Sequence, residues 1–151
     1  LLQGPAAAAR FVPFFDEPPA VELNDEALSA LARQSNERLA ELAWPLDVGV
    51  LGMGEDGHTA SLFPCSEQIQ QGLALDAPAV LAVQPGSAPY QRLSLSLPRL
   101  LNSRHIFLHL VGANKLTVLD KAMADNDIYA MPIRAFLQHP VANVTVMYTA
   151  K

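Results

Sequence analysis

An imidazole, a carboxylate and three glycines are crowded into residues 52–58 of this chain, as Gly52, Gly54, Asp56, Gly57 and His58. Glycine permits sharp backbone turns, so Asp56 and His58 flank a hinge from which either side chain can reach a ligand. Imidazole as a class titrates near neutrality, which lets one side chain take a proton from water and return it to a leaving oxygen. Asp56 either orients that ring or lines a pocket; the structural alternative is that both groups only hydrogen-bond the loop and cap the helix that follows. Two cations extend the set. Arg92 opens an alternating stretch after a proline-containing loop, and its guanidinium offers forked donors suited to phosphate or carboxylate oxygens. Its ordinary reading is a solvated charge at a strand end. Lys115 follows Gly112, Ala113 and Asn114 where a strand gives way to a helix, so its ammonium and the free N–H groups of the first turn converge on a point fit for a phosphate. Its ordinary reading is a lysine on a helix surface. Together these residues describe acid–base chemistry on a small anionic substrate.

The elements that must position them follow from periodicity. Residues 46–51 are mostly apolar with one acid, Asp47, and predict a buried strand running into the glycine loop. Residues 59–63 predict a short helix that Pro64 ends. Upstream, Asn24 or Asp25 caps a helix whose Leu28, Leu31, Ala32, Leu39 and Leu42 recur at helical spacing as far as Trp44, with Arg33 and Arg38 off the apolar stripe. The apolar run 11–15 is either a strand or a buried loop. Residues 79–83, 92–97 and 105–111 predict three strands, 115–124 a helix, 133–137 a helical turn and 141–147 a last strand. Strands alternating with helices imply an α/β fold, Rossmann-like, with a mostly parallel sheet and helices on both faces. The spacing Gly52-x-Gly54-x-x-Gly57 also matches the dinucleotide fingerprint, but Asp56 and His58 inside the loop make a pyrophosphate a poor guest.

Composition narrows the partners. The 151 residues suit one domain, 1–151; half are hydrophobic and 17% are charged, which excludes disorder. A net charge of −5 argues against a nucleic-acid partner, while a local pair of cations still suits a small anion. Cys65 is the single cysteine, so no internal disulfide forms and a cytoplasmic setting is expected. No apolar run approaches the roughly 18 residues of a membrane span. The chain opens on Leu1 and Leu2, and residues 6–9 before Arg10 lack the basic segment of a secretory leader, so an N-terminally truncated chain is expected.

Other polar residues are weaker candidates. His105 and His109 share a strand face but have no third ligand, so no metal is expected. Ser61 lacks a nucleophile elbow, Cys65 lacks a histidine in register, and Asp47 needs a hydrogen-bond partner. Arg134 is a minor source of positive charge near the sheet edge.

The run from Gly52 to His58, continued by Thr59, Ala60, Ser61, Leu62, Phe63 and Pro64, resembles the signature of the 6-phosphogluconolactonases. Its first part is shared with the glucosamine-6-phosphate deaminases, in which Ile-Ala-Phe-Asn-Glu-Pro follows the histidine; Phe63 stands here where their acid serves the ring-opening histidine. The lactonase resemblance is therefore preferred. It extends to the segment from Pro89 to Leu95, where an arginine ahead of a Leu-Ser-Leu strand reaches the substrate, and to Gly112-x-x-Lys115. It implies hydrolysis of 6-phospho-D-glucono-1,5-lactone to 6-phosphogluconate in the pentose phosphate pathway, without cofactor or metal. His58 and Asp56 are then the catalytic pair, and Arg92, Lys115, Gly54 and Gly57 are the substrate-binding residues. Such lactonases also carry an N-terminal Ser-Gly-Gly-Ser/Thr-type phosphate loop that is not found here, so the resemblance covers about the later two-thirds of a typical member. A deaminase or isomerase and a non-catalytic sugar-phosphate-sensing domain are the alternatives; the regulators that use such domains join them to a DNA-binding helix pair.

Overall fold

Alternating strand and helix segments give, in chain order, α1 (Asp25–Ala40), β1 (Leu46–Leu51), α2 (Ile69–Leu73), β2 (Val80–Val83), β3 (Arg92–Leu95), α3 (Leu97–Leu101), β4 (Ser103–Val111), α4 (Ala113–Met123), α5 (Arg134–Leu137) and β5 (Val144–Thr149). They are taken from a computed structural model that describes residues 3–86 and 89–150. Strands β1, β4 and β5 form a parallel sheet in that order, with Gly49 opposite Ile106 and Leu108 opposite Val146. Because successive side chains alternate faces, Leu51, Ile106, Leu108 and Leu110 all point to one side. There they meet Leu97 and Leu100 of α3, Ala122 of α4 and Phe136 of α5 in the main core. Each fully buried side chain of this size contributes about 1.5–3 kcal/mol.

The α/β class and the parallel sheet agree with the sequence pattern, and two features refine it. Helix cover lies on one face of the sheet: Val48 and Val50 are 52% and 69% exposed, and His105, His109, Val111 and Met147 are exposed with them. Strands β2 and β3 form a separate antiparallel pair, with Val80 opposite Leu95 and Val83 opposite Arg92. The segment joining them is shorter than the roughly 12-residue crossover that parallel pairing requires.

Helix α1 packs on this pair through Ala32, Leu39 and Val80. Its N-cap is Asn24, whose side chain accepts from the Ala27 N–H at 2.9 Å, and it ends at Ala40, short of Trp44. Asn36 joins helix to strand by accepting from the Val80 N–H and donating to the Val80 carbonyl, both at 2.8 Å. Residues 11–15 form no strand; the Phe14 carbonyl instead accepts from the Ser35 hydroxyl at 2.9 Å. Arg38, expected to be a solvated charge, makes a two-pronged ion pair with Asp16 at 2.8 Å. Asp47 finds Arg104 at 3.2 Å and is itself exposed.

Arg134 departs most from expectation. It is 3% exposed and lies under the end of α4, donating at 3.0 Å to the carbonyls of Lys121, Ala122 and Asp127. Those of Lys121 and Ala122 belong to the last turn of α4, where carbonyls lack helical partners. Asp125 pairs with the guanidinium at 3.2 Å. Its carboxyl is held below the ordinary carboxylate pKa, first by the Asn126 N–H and then by the Arg134 charge, so any stability from it is lost as pH falls through the lowered value. Arg134→Leu strands one buried and two partly buried carbonyls and is expected to cost about 2–5 kcal/mol, read as a lowered urea midpoint.

Candidate active site

Parallel pairing of β1 with β4 carries the C-terminal ends of both strands to the same sheet edge, the usual location of ligand sites in open α/β sheets. The glycine loop leaves β1 there and α4 starts there after Gly112. The loop is tightly closed. The Gly54 N–H donates to the His58 carbonyl at 2.9 Å, the Gly57 N–H to the Gly54 carbonyl at 3.1 Å, and the buried Thr59 hydroxyl to the Gly52 carbonyl at 2.8 Å.

Within this frame Asp56 and His58 touch. One carboxylate oxygen of Asp56 accepts from the His58 backbone N–H at 3.1 Å and lies 2.6 Å from the imidazole Nδ1. An ionised carboxylate can only accept, so Nδ1 is the donor in this contact, and in the neutral ring Nε2 is then the nitrogen with the lone pair. The two side chains are 31% and 38% exposed for His58 and Asp56, within reach of a ligand in solvent. A carboxylate at this distance fixes the orientation of the ring.

The helix expected at residues 59–63 is not formed. Thr59 and Leu62 make a one-pair bridge, the Leu62 N–H donates to the Thr59 carbonyl at 2.9 Å, and Ala60 takes a φ of +50°. Asp56 and His58 therefore cap no helix. Ser61, an unlikely nucleophile by sequence, contributes its N–H to the Ser94 hydroxyl at 3.0 Å and ties the turn to β3.

Gly54 and Gly57, expected to bind substrate, have a steric role in the structure. A Cβ on Gly54 would fall 2.1 Å from His58 Nδ1 and 2.8 Å from the Asp56 carboxylate, so the imidazole occupies space that only glycine leaves open. Gly57 has a φ of +78°, and its Cβ would meet the Met131 side chain at 2.7 Å. Its carbonyl accepts from the Ile133 N–H at 2.9 Å, which joins the loop to the buried segment before α5.

The cations approach from two other elements. Lys115, in the first turn of α4, donates from Nζ to the Met53 carbonyl at 2.8 Å, which places its ammonium against the residue preceding Gly54. Arg92 reaches the site through an aromatic ring: its guanidinium carbon lies 5.5 Å from the centroid of Phe63, whose ring is 4.2 Å from that of His58. The Arg92 Nε is buried without a hydrogen-bond partner among the described residues. Arg92 also lines a groove of about 520 Å³ with Phe15, Leu23, Leu31 and Tyr90, whose walls do not include His58, Asp56 or Lys115. Sequence reasoning used Phe63 only to separate two families and missed its contact with both functional groups; the turn of Thr59 on Leu62, which folds Phe63 back, leaves no periodic signal.

Among the described residues no group of histidine, cysteine, aspartate and glutamate side chains is placed to hold a metal ion. His105 Nδ1 lies 3.0 Å from the Asn143 side-chain amide, on the open face of the sheet. No described helix is long and apolar enough to cross a membrane.

Comparison with known proteins bears on this geometry. Residues 1–147 match the family model described as glucosamine-6-phosphate isomerases/6-phosphogluconolactonase. The chain is 44% identical over 142 residues to the 6-phosphogluconolactonase of Pseudomonas putida, covering 93% of this chain and 55% of the relative. It is 42% identical over 150 residues to that of Mesorhizobium japonicum, covering 98% and 59%. The crystal structure of a 6-phosphogluconolactonase from Shewanella baltica superposes with a TM-score of 0.87 at 40% identity, over 97% of this chain and 60% of the other. The chain thus spans between half and two-thirds of the length of these relatives. By the family match and by these identities, the chain belongs to the glucosamine-6-phosphate isomerase/6-phosphogluconolactonase family.

Proposed function

We propose that this chain carries the base and the anion-binding cations of a 6-phosphogluconolactonase, hydrolysing 6-phospho-D-glucono-1,5-lactone to 6-phosphogluconate in the cytoplasmic pentose phosphate pathway. The observation that supports it most is the Asp56–His58 pair, which orients the imidazole at a sheet edge with Lys115 beside the same loop and Arg92 one aromatic ring away. Water attacks the lactone C1 carbonyl while His58 Nε2 takes its proton. The tetrahedral oxyanion then collapses, the bond from C1 to the ring oxygen breaks, and the same imidazole returns the proton to that oxygen. Asp56 stabilises the imidazolium formed between the two steps. Arg92 and Lys115 hold the phosphate and so fix the carbonyl against the water. Neither a metal nor a cofactor enters this scheme. Phe63 cannot relay a proton, which disfavours the ring-opening chemistry of a deaminase.

His58→Ala is expected to lower turnover at least about 10²-fold, the typical loss on removing a general base. Hydrolysis by that variant at the wild-type rate, measured above the spontaneous background, would remove His58 from the mechanism. Arg92→Ala and Lys115→Ala each delete charge-assisted hydrogen bonds and should raise KM by roughly tenfold or more. Gly54→Ala is expected to keep the circular dichroism and unfolding midpoint of the parent yet match His58→Ala in activity, because its methyl group displaces the imidazole. Ammonia release from glucosamine 6-phosphate, or sugar-phosphate binding without any turnover, would replace the lactonase reading.

A further inference from the structure

The proposed base and one of the proposed anion-binding cations never touch each other in the described contacts; Phe63 touches both. Its ring lies 4.2 Å from the His58 ring, tilted by 33°, and 5.5 Å from the Arg92 guanidinium carbon. Neither neighbour is fully held by anything else. His58 is fastened at Nδ1 by Asp56, a single bond about which the ring can still swing. The Arg92 side chain has no hydrogen bond or ion pair among the described residues, and its Nε is buried. Phe63, by contrast, is 4% exposed and packed in the main core with Met53 and Leu62. Its carbonyl accepts from both the N–H and the hydroxyl of Ser66, at 3.1 and 3.0 Å. The turn that carries it is tied through Ser61 and Ser94 to the strand that carries Arg92.

We propose that Phe63 is a positioning residue: its ring sets the plane of the His58 imidazole and the approach of the Arg92 guanidinium, so that base and anion-binding cation keep one mutual geometry. The inference rests on the lactonase reading for its consequence in catalysis, but its geometric content is independent of turnover. A ring is required for two reasons. An extended π face attracts a guanidinium, and it attracts an imidazolium when His58 holds the proton. A flat rigid surface also fixes the orientation of a neighbouring ring, which a branched aliphatic side chain does not. Leucine at this position fills most of the volume and supplies neither.

The test compares Phe63→Leu, the conservative Phe63→Tyr, and the core control Phe136→Leu, whose parent side chain is 1% exposed and touches no proposed site residue in the described ring contacts. Two readouts are taken on the full chain: the proton and carbon resonances of the His58 ring, and kcat and KM for the lactone. Phe63→Leu is expected to move the His58 ring resonances beyond the ring-current change that loss of the phenyl alone produces, to lower kcat roughly tenfold, and to raise KM through Arg92. Phe63→Tyr should restore ring resonances, kcat and KM to within about threefold in the rates. Phe136→Leu should lower the unfolding midpoint while leaving ring resonances and kcat at parent values. Unchanged His58 resonances and kcat in Phe63→Leu overturn the proposal, as does a Phe136→Leu variant that reproduces both effects. If the parent hydrolyses no lactone while Phe63→Leu still moves the His58 resonances beyond the ring-current change and Phe63→Tyr restores them, the lactonase reading falls and the positioning role stands.

Discussion

Parallel pairing of β1 with β4 is the constraint on which the site depends. In an antiparallel pair, the loop leaving β1 and the start of α4 would lie at opposite ends of the sheet. Because Leu46 pairs with Ser103 and Leu51 with Leu108, both strands deliver their C-terminal ends to one edge. The glycine loop and the first turn of α4 are then close enough for Lys115 to reach the Met53 carbonyl. The same pairing brings Leu51, Ile106, Leu108 and Leu110 onto one face, where they anchor the elements that hold the edge in place. Placement of the polar groups and burial of the apolar ones thus have a common cause.

On that edge the work of holding the imidazole is divided. Asp56 selects the tautomer, Gly54 leaves space for the ring, and Phe63 lies against it. The first of these is electrostatic and the other two are steric. Their combination matters because a side chain with the role proposed for His58 needs both its lone pair and its direction set before a substrate arrives. Met131 closes on Gly57 from beneath, so that the loop rests on the core instead of projecting freely from it. Lys115 and Arg92 come from elements far apart in sequence: the first reaches the Met53 carbonyl beside the glycine loop, and the second, on the separate β2–β3 pair, meets His58 only through the Phe63 ring.

Much of this was legible in the residue pattern. The apolar run at 46–51, the alternation of polar and apolar residues after Arg92 and the long apolar stretch after His105 all marked strands, and the close spacing of Asp56 and His58 marked the pair that the structure joins. What the pattern hid was non-local. Antiparallel pairing of β2 with β3 depends on the length of the segment between them, not on the residues within each strand. The turn at Thr59 depends on its hydroxyl reaching back to Gly52, so a stretch with acceptable helical composition folds differently. Arg134 resembled any charged residue near a helix end, and only the arrival of three carbonyls from α4 and the following loop shows why a guanidinium can be buried there. Phe63 carried no periodic signal because its two polar neighbours are supplied by a turn and by a distant strand.

The buried guanidinium under α4 has a reach beyond its own surroundings. This helix is fastened at both ends, by Arg134 to its last carbonyls and by the Lys115 ammonium to the glycine loop. An 11-residue helix is a stiff rod of roughly 16 Å, and one clamped at each end transmits tilt or slippage along its axis instead of absorbing it. Disturbance at the far terminus therefore travels to the ammonium, making the placement of a surface cation answerable to a side chain hidden at the opposite end of the rod.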